Sequence, residues 1–186
     1  MNLPNKLTMM RVVLVPVFMI FAAVSHYGTA DFHAAYMLIA GVIFAIASIT
    51  DFLDGYLARK NHLVTDFGKF MDPLADKMLV MAAMCYFVEY GQMPGWCLAI
   101  VLLREFAVSG MRLVAVEQGR VIAAAWSGKV KTASTMVCLC LMLVFQSNLL
   151  NVVCIAVIVA TTVYSGIEYF LSLIHISEPT RLALIS

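Results

Sequence analysis

Six mainly apolar stretches, separated by short connections, run through most of the chain. They cover residues 7–24, 34–50, 71–90, 94–111, 132–146 and 149–170. A helix that crosses a bilayer needs about 20 such residues. Of the 186 residues, 63% are hydrophobic and 12% are charged, and a chain of this size has too little interior to bury that much apolar surface. The pattern excludes a soluble globular protein, a disordered chain and a nucleic-acid binder with a basic face. It predicts an all-α integral membrane protein with six transmembrane helices.

The basic residues lie in alternate connections between these stretches. They are Lys6 and Arg11 at the start of the first stretch, Arg59, Lys60 and Lys69 between the second and third, and Arg112, Arg120, Lys129 and Lys131 between the fourth and fifth. The other three connections contain no Lys or Arg. Because cytoplasmic loops carry an excess of Lys and Arg, we expect both ends of the membrane domain to be cytoplasmic.

The last part of the chain differs from what precedes it. The stretch LSLIHISEPTR, which begins at Leu171, matches one reading frame of a transposase adapter used in DNA library preparation. We therefore predict one membrane domain over residues 1–170, followed at residues 171–186 by adapter read-through that is not native sequence. The alternative is a native polar tail.

Four aspartates stand at the ends of two stretches that are otherwise typical of membrane spans. Asp51 and Asp54 are three residues apart after the second stretch, and Asp72 and Asp76 are four apart at the start of the third. Residues at these spacings share one face of a helix. Ionised side chains at membrane depth cost about 2.5–3.5 kcal/mol each on the most lenient scale. Since the two helices are consecutive and antiparallel, we predict that the two acidic faces meet just inside the membrane boundary.

A cluster of facing carboxylates indicates a bound cation, because the carboxylates otherwise repel one another and take up protons. Oxygen ligands favour hard cations, so Mg²⁺ or Mn²⁺ fits and zinc does not. Four carboxylates can hold two ions, which is the arrangement that clamps the attacking and leaving oxygens in phosphoryl transfer. Gly55 and Gly68 leave clearance for a ligand, and Arg59 adds a cation suited to diphosphate oxygens. The alternative is that the aspartates are interfacial, solvated by lipid headgroups and paired with nearby lysines.

These residues fit one continuous pattern, D-x2-D-G-x2-A-R-x8-G-x3-D-x3-D. Its fixed positions are Asp51, Asp54, Gly55, Ala58, Arg59, Gly68, Asp72 and Asp76. The pattern resembles the signature of the CDP-alcohol phosphotransferases, which are integral membrane enzymes of phospholipid synthesis. The resemblance implies six transmembrane helices, a homodimer and two divalent ions held by the four aspartates, of which Asp76 is also the general base. It further implies a CDP-lipid site formed by Gly55, Ala58, Arg59, Thr65 and Gly68.

Three further segments resemble one subfamily, the bacterial phosphatidylglycerophosphate synthases. They are NLPNKLTMMRVVLVP at residues 2–16, REFAVSGMR at 104–112 and GKVKT at 128–132. This resemblance implies transfer of the phosphatidyl group from CDP-diacylglycerol to sn-glycerol 3-phosphate, with release of CMP, on the cytoplasmic side of the bacterial inner membrane. Asp76 then takes the proton from the acceptor hydroxyl, and the attack needs no covalent enzyme intermediate.

Glycerol 3-phosphate is a dianion and requires a cationic pocket. The candidates are Arg112, Lys129, Lys131 and Arg120, all in the connection between the fourth and fifth stretches. The alternative explanation for these basic residues is membrane topology alone. Arg104 and Glu105 lie deeper in the fourth stretch, where they either pair between helices or contact substrate.

Two other functions stay open on the sequence. A related synthase could use another acceptor, such as phosphatidylglycerol, serine or an inositol phosphate, and a neutral acceptor does not require the basic cluster. A six-helix divalent-cation transporter could also use membrane aspartates. A transporter needs an aqueous path to the outer face, however, whereas the acids here lie on one side only.

Overall fold

The structure, a computed structural model, describes residues 3–27, 30–61, 66–117, 126–145 and 147–183. Within these ranges it places the side chains of residues 9–10, 12–25, 35–50, 74, 77–112, 114–115, 126–145 and 147–171. All the regular structure in the described ranges is α-helical, which confirms the all-α part of the predicted fold class there. The helices are α1 (Leu3–Tyr27), α2 (Ala30–Asn61), α3 (Asp66–Glu89), α4 (Gly95–Glu117), α5 (Trp126–Val144) and α6 (Asn148–Ala183).

Each predicted apolar stretch falls on one of the six helices, but most of the helices extend beyond it. α2 continues past residue 50 to Asn61, and α3 begins at Asp66 rather than at residue 71. The hydrogen bonds of a helix are internal, so a helix can continue from an apolar stretch into polar sequence. α6 likewise runs on past residue 170 to Ala183. The domain boundary at residue 170 stays a prediction.

Two helical stretches of the described residues are long and apolar enough to cross a membrane, Trp126–Val144 and Asn148–Leu171. Val12–Ser25 and Ala35–Thr50 are apolar but shorter. α4 carries Arg104 and Glu105 near its middle, which lowers its apolar character. The six-span topology therefore stays a prediction, while the residues that the structure describes form six helices.

The chain divides into two compact units. The first comprises Met1–Met93 with Leu139–Asn151, and so contains α1, α2 and α3, the end of α5 and the start of α6. The second comprises Pro94–Cys138 with Val152–Ser186, and so contains α4 and the larger parts of α5 and α6.

In the first unit, α1 packs against both α2 and α3, and α2 also contacts α3. Phe18 of α1, Phe44 of α2 and Phe87 of α3 are fully buried, and the ring centroids of Phe18 and Phe44 are 5.9 Å apart. The Tyr86 hydroxyl of α3 donates a hydrogen bond to the Met37 sulfur of α2 at 3.0 Å. These contacts hold together the two helices that carry the acidic signature.

In the second unit, small and polar residues join α4, α5 and α6. Ser134 Oγ of α5 donates a hydrogen bond to Thr161 Oγ1 of α6 at 3.3 Å. A Cβ added at Gly128 of α5 would lie 3.5 Å from Arg104 Nη2, and one added at Gly166 of α6 would lie 3.6 Å from Arg104 Cγ. The two glycines thus let the backbones of α5 and α6 pass close to the Arg104 side chain of α4.

Gly91 closes the turn that follows α3. Its φ of 67° lies in the left-handed region, and the amides of Gln92 and Met93 both donate to the Phe87 carbonyl, at 2.9 and 3.0 Å. A glycine in this conformation just after a helix satisfies carbonyls that the helix leaves without partners. A side chain at this position is strained by the backbone alone, since an added Cβ would meet nothing within 4 Å.

We expect Gly91→Ala to destabilise the protein by about 1–2 kcal/mol, the cost of the left-handed conformation for a residue with a Cβ. For a chain of this size, the melting temperature in detergent then falls by about 2–4 °C per kcal/mol. Gly110→Ala is the matched control, because Gly110 is helical and exposed and an added Cβ there also meets nothing. Alanine favours a helix over glycine, so that variant should melt at the same temperature or higher. A Gly91→Ala variant as stable as Gly110→Ala would contradict the prediction.

Candidate active site

The acidic signature lies on two helices of the first unit. α2 carries Asp51, Asp54, Gly55, Ala58 and Arg59, and α3 carries Gly68, Asp72 and Asp76. The backbone is helical at all eight positions, so the spacings of three and four residues are spacings along helices. The side chains at these positions, and Thr65 and Arg120 entirely, lie outside the described residues. The roles predicted for them stay predictions.

The donor set at the four aspartate positions fits a hard divalent cation. Each aspartate offers carboxylate oxygens, which Mg²⁺ and Mn²⁺ prefer as ligands. The two helices that carry them belong to one unit and contact each other. Among the side chains that the structure describes, no group of three or more His, Cys, Asp or Glu residues could hold a metal ion. The signature aspartates are therefore the residues to test for metal binding.

A cluster of charged side chains lies in the second unit, where α4 meets α5. Glu105 Oε1 of α4 accepts hydrogen bonds from Lys131 Nζ of α5 at 2.7 Å and from Arg104 Nη1 at 2.9 Å. The side chains of Arg104, Glu105 and Lys131 are only 10%, 13% and 5% exposed. A buried charge is costly unless it is paired and hydrogen-bonded, so these contacts offset the cost of burying the three charged side chains. We call these three residues the α4–α5 cluster.

Tyr169 of α6 joins Arg104 to Arg112. Its side chain is buried, and its ring centroid lies 5.5 Å from the guanidinium carbon of Arg104 and 5.4 Å from that of Arg112. Arg112 Nη2 donates a hydrogen bond to the Tyr169 hydroxyl, and Arg104 Nη2 donates one to Ser165 Oγ. Each guanidinium is thus attracted to the ring of Tyr169, which holds two arginines of α4 at one place on α6.

The α4–α5 cluster and its neighbour Arg112 carry more positive than negative charge. Arg104 and Lys131 share the carboxylate of Glu105, and Arg112 adds a cation through Tyr169. Arg104 Nε is buried and has no hydrogen-bond partner in the part of the chain that the structure describes. Excess positive charge and an unused buried donor suit an anion with several oxygen atoms, such as a phosphate group.

The structure brings together two of the four residues predicted to bind the acceptor phosphate. Lys131 belongs to the α4–α5 cluster, and Arg112 reaches that cluster through Tyr169. Lys129 is exposed instead, and its Nζ lies 5.8 Å from the centroid of the Trp126 ring. For Arg104 and Glu105, the sequence left open pairing between helices and contact with substrate. The structure shows pairing between helices, of Arg104 with Ser165 on α6 and of Glu105 with Lys131 on α5.

Ser165 and Tyr169 belong to this site but were not predicted from the sequence. The available signal was their spacing with Thr162, which places three polar residues at intervals of three and four along a mainly apolar helix. All three are buried. Polar residues on one face of such a helix indicate a partner on a neighbouring helix. The predicted acceptor-phosphate residues were all charged, so this polar face was missed.

The family model described as CDP-alcohol phosphatidyltransferase matches residues 1–164. The chain belongs to this family. The match spans the whole acidic signature and also Arg104, Glu105, Arg112 and Lys131. This member of the CDP-alcohol phosphatidyltransferases therefore carries both the signature and the α4–α5 cluster within the part of the chain that defines the family.

This CDP-alcohol phosphatidyltransferase is similar to several bacterial proteins named CDP-diacylglycerol–glycerol-3-phosphate 3-phosphatidyltransferase. The protein of that name from Bacillus subtilis (strain 168) is 42% identical over 91% of this chain and 93% of its own length. The one from Haemophilus influenzae is 38% identical over 90% of this chain and 91% of its own length. The one from Salmonella paratyphi A is 38% identical over 74% of each chain.

Proposed function

We propose that this CDP-alcohol phosphatidyltransferase transfers the phosphatidyl group of CDP-diacylglycerol to sn-glycerol 3-phosphate, giving phosphatidylglycerophosphate and CMP. The observation that carries the proposal is the similarity, over nine-tenths of the chain, to proteins named for this reaction. The excess positive charge around the α4–α5 cluster supports the choice of acceptor, because glycerol 3-phosphate is a dianion and the groups around it must be cationic.

The enzyme acts in the bacterial inner membrane, with six spans, both ends of the membrane domain in the cytoplasm, and a cytoplasmic active site. The support for this topology is the restriction of Lys and Arg to alternate connections. One substrate is a membrane lipid and the other is a soluble phosphate ester, so the reaction belongs at the boundary between membrane and cytoplasm. The native domain covers residues 1–170, before the adapter-like stretch. It works as a homodimer, as the family resemblance implies.

CDP-diacylglycerol binds along the acidic signature. Arg59 pairs with the diphosphate oxygens, which a guanidinium can contact with two parallel hydrogen bonds. Gly55, Ala58 and Gly68 leave room beside the helices for the nucleotide, and Thr65 contacts it from the connection between α2 and α3. Asp51, Asp54, Asp72 and Asp76 would hold Mg²⁺ or Mn²⁺, two ions in all, which would supply positive charge against the diphosphate and the departing CMP.

Asp76 acts as the general base. Its carboxylate takes the proton of the acceptor hydroxyl while the hydroxyl oxygen attacks the phosphorus that bears diacylglycerol. The bond between that phosphorus and the oxygen shared with CMP breaks, and CMP leaves with the electron pair. The phosphatidyl group therefore passes directly to the acceptor, and no covalent bond to the enzyme forms.

The acceptor phosphate binds to the cationic groups of α4 and α5. Arg112 supplies a guanidinium positioned by Tyr169, and Lys131 supplies an ammonium positioned in the α4–α5 cluster. Lys129 and Arg120 add positive charge in the same connection between the fourth and fifth apolar stretches. Charge-assisted hydrogen bonds to phosphate oxygens are about twice as strong as neutral ones, so these groups select a phosphorylated acceptor over a neutral one.

The test is CMP release by the purified protein in detergent, with CDP-diacylglycerol and Mg²⁺. We expect release with glycerol 3-phosphate and only background release with glycerol, which has the hydroxyl groups but lacks the phosphate. Serine, inositol phosphate and phosphatidylglycerol are tested in parallel, as acceptors of related synthases. Release with one of these instead would overturn the assignment of acceptor but leave the aspartate chemistry in place. If folded protein releases no CMP with any acceptor, the proposed enzymatic activity is refuted, and metal flux is the next property to assay.

A further inference from the structure

Lys129 and Lys131 lie on opposite faces of α5, although only one residue separates them. Two steps along an α-helix turn the chain by about 200°. Lys131 is only 4% exposed and contacts Glu105 of α4, whereas Lys129 is exposed. Lys129 therefore belongs to the outer face of α5, and a ligand that binds it approaches from that side.

The outer face of α5 is mainly apolar over about three turns. Its exposed residues recur at intervals of three and four, which place them on one face of the helix. They are Trp126, Lys129, Val130, Ala133 and Val137. α5 is long and apolar enough to cross a membrane, and the apolar face of such a helix is matched by lipid tails. Acyl chains are therefore the partners that this face fits.

Trp126 and Lys129 form a pair at one end of this face. Trp126 is the first residue of α5 and is 75% exposed, and tryptophan in membrane proteins is enriched at the level of the lipid headgroups. The Lys129 Nζ lies 5.8 Å from the centroid of the Trp126 ring, within the range of cation–π attraction. The pair thus places a positive charge beside an indole ring, where the apolar face of the helix begins.

We propose that Trp126 and Lys129 bind the headgroup of an anionic membrane phospholipid, whose acyl chains lie along Val130, Ala133 and Val137. The ammonium of Lys129 attracts a headgroup with a net negative charge more strongly than a zwitterionic one, which carries an ammonium of its own. Lys129 then adds its charge to the connection that precedes α5, but its hydrogen bonds go to lipid. The inference concerns lipid binding at the outer face of α5 and does not depend on the proposed reaction.

The experiment measures how strongly brominated phospholipids quench the fluorescence of Trp126. The chain has two tryptophans, Trp96 and Trp126, so Trp96→Phe leaves Trp126 as the reporter. The full-length variant is reconstituted in phosphatidylcholine vesicles with a minor fraction of brominated lipid, either phosphatidylglycerol or phosphatidylcholine. Bromine on an acyl chain quenches an indole ring by contact, so the ratio of the two quenching efficiencies reports which lipid lies at Trp126. We expect a preference of about fivefold for phosphatidylglycerol, the effect of one lysine at a membrane surface.

Two substitutions of Lys129 test whether its charge sets the preference. Lys129→Gln should abolish the preference, while Lys129→Arg should retain it, because a guanidinium is also a cation. Trp126→Phe is the matched control for the reporter, since it leaves Trp96. Trp96 is 57% exposed in the first turn of α4, and no Lys or Arg lies within four residues of it in the sequence. Its fluorescence should be quenched equally by the two brominated lipids.

The other outcomes overturn the proposal in different ways. Equal quenching of Trp126 by the two lipids would mean that the site contacts lipid without selecting its charge. Weak quenching of Trp126 by both, beside strong quenching of Trp96, would assign the outer face of α5 to a protein partner such as a second copy of the chain. A preference that survives Lys129→Gln would come from groups other than Lys129.

The measurement remains decisive if one variant fails or if the proposed reaction is wrong. Should Trp96→Phe not fold, the difference in quenching between the wild-type protein and Trp126→Phe gives the contribution of Trp126 instead. CMP release enters none of these ratios. A protein that releases no CMP but shows the preference would overturn the proposed function alone, and an active enzyme without the preference would overturn this inference alone.

Discussion

Asp76→Asn is expected to reduce CMP release dependent on glycerol 3-phosphate by roughly a thousandfold, within the range usual for loss of a general base. Asparagine has the size and shape of aspartate but cannot accept the proton of the acceptor hydroxyl. It also removes one of the four negative charges proposed to hold the metal ions. Both effects act on turnover, while the glycines and Arg59 that are proposed to bind the nucleotide remain. The variant should therefore still bind CDP-diacylglycerol, which a titration by calorimetry or fluorescence would measure beside the activity.

The matched control for that variant is Asp66→Asn. Asp66 begins α3 and lies outside the signature, so the same chemical change there should leave CMP release within about twofold, as is usual for a substitution that touches no reacting group. Equal losses in the two variants would show that the region tolerates no change of charge. Normal turnover in Asp76→Asn would refute the assignment of the base.

The six helices could be predicted from the sequence because an apolar stretch in a membrane must satisfy its backbone hydrogen bonds internally. That argument fixes the existence of α1 to α6 but not their ends. α2 continues to Asn61, and α3 begins at Asp66, because polar residues can extend a helix outside the apolar region. The spacing of the aspartates is the better guide to where α2 ends and α3 begins, because residues three and four apart lie on one face only in a helix.

Arg112 and Lys131 could be singled out from the sequence as candidates for the acceptor site, because charged residues are rare beside apolar stretches. Their partners could not. Tyr169 is 57 residues away from Arg112, and Lys131 is 26 residues away from Glu105. Which faces of α4, α5 and α6 meet depends on packing between helices, and no local pattern specifies it. For Glu105, the sequence left pairing and substrate contact open, and the structure shows pairing with Lys131 of α5.

Removing divalent metal is expected to abolish CMP release, and adding Mg²⁺ or Mn²⁺ is expected to restore it. The reason is the donor set: the four carboxylates predicted to face one another on α2 and α3 would repel one another without a cation, and the diphosphate proposed to bind beside them is itself negative. Enzyme dialysed against EDTA should show background release only. Zn²⁺ should restore little, because it favours nitrogen and sulfur ligands that these positions lack.

The control for the metal experiment is EDTA saturated beforehand with Mg²⁺, which exposes the protein to the chelator without depleting the metal. Full activity in this sample, with none in free EDTA, assigns the loss to the metal. The melting temperature of the metal-free enzyme separates two explanations of that loss. If the melting temperature is unchanged, the fold does not depend on the ions, and the loss of activity is a loss of catalysis. Activity that survives exhaustive dialysis would refute the metal-dependent mechanism and with it the role proposed for the aspartates.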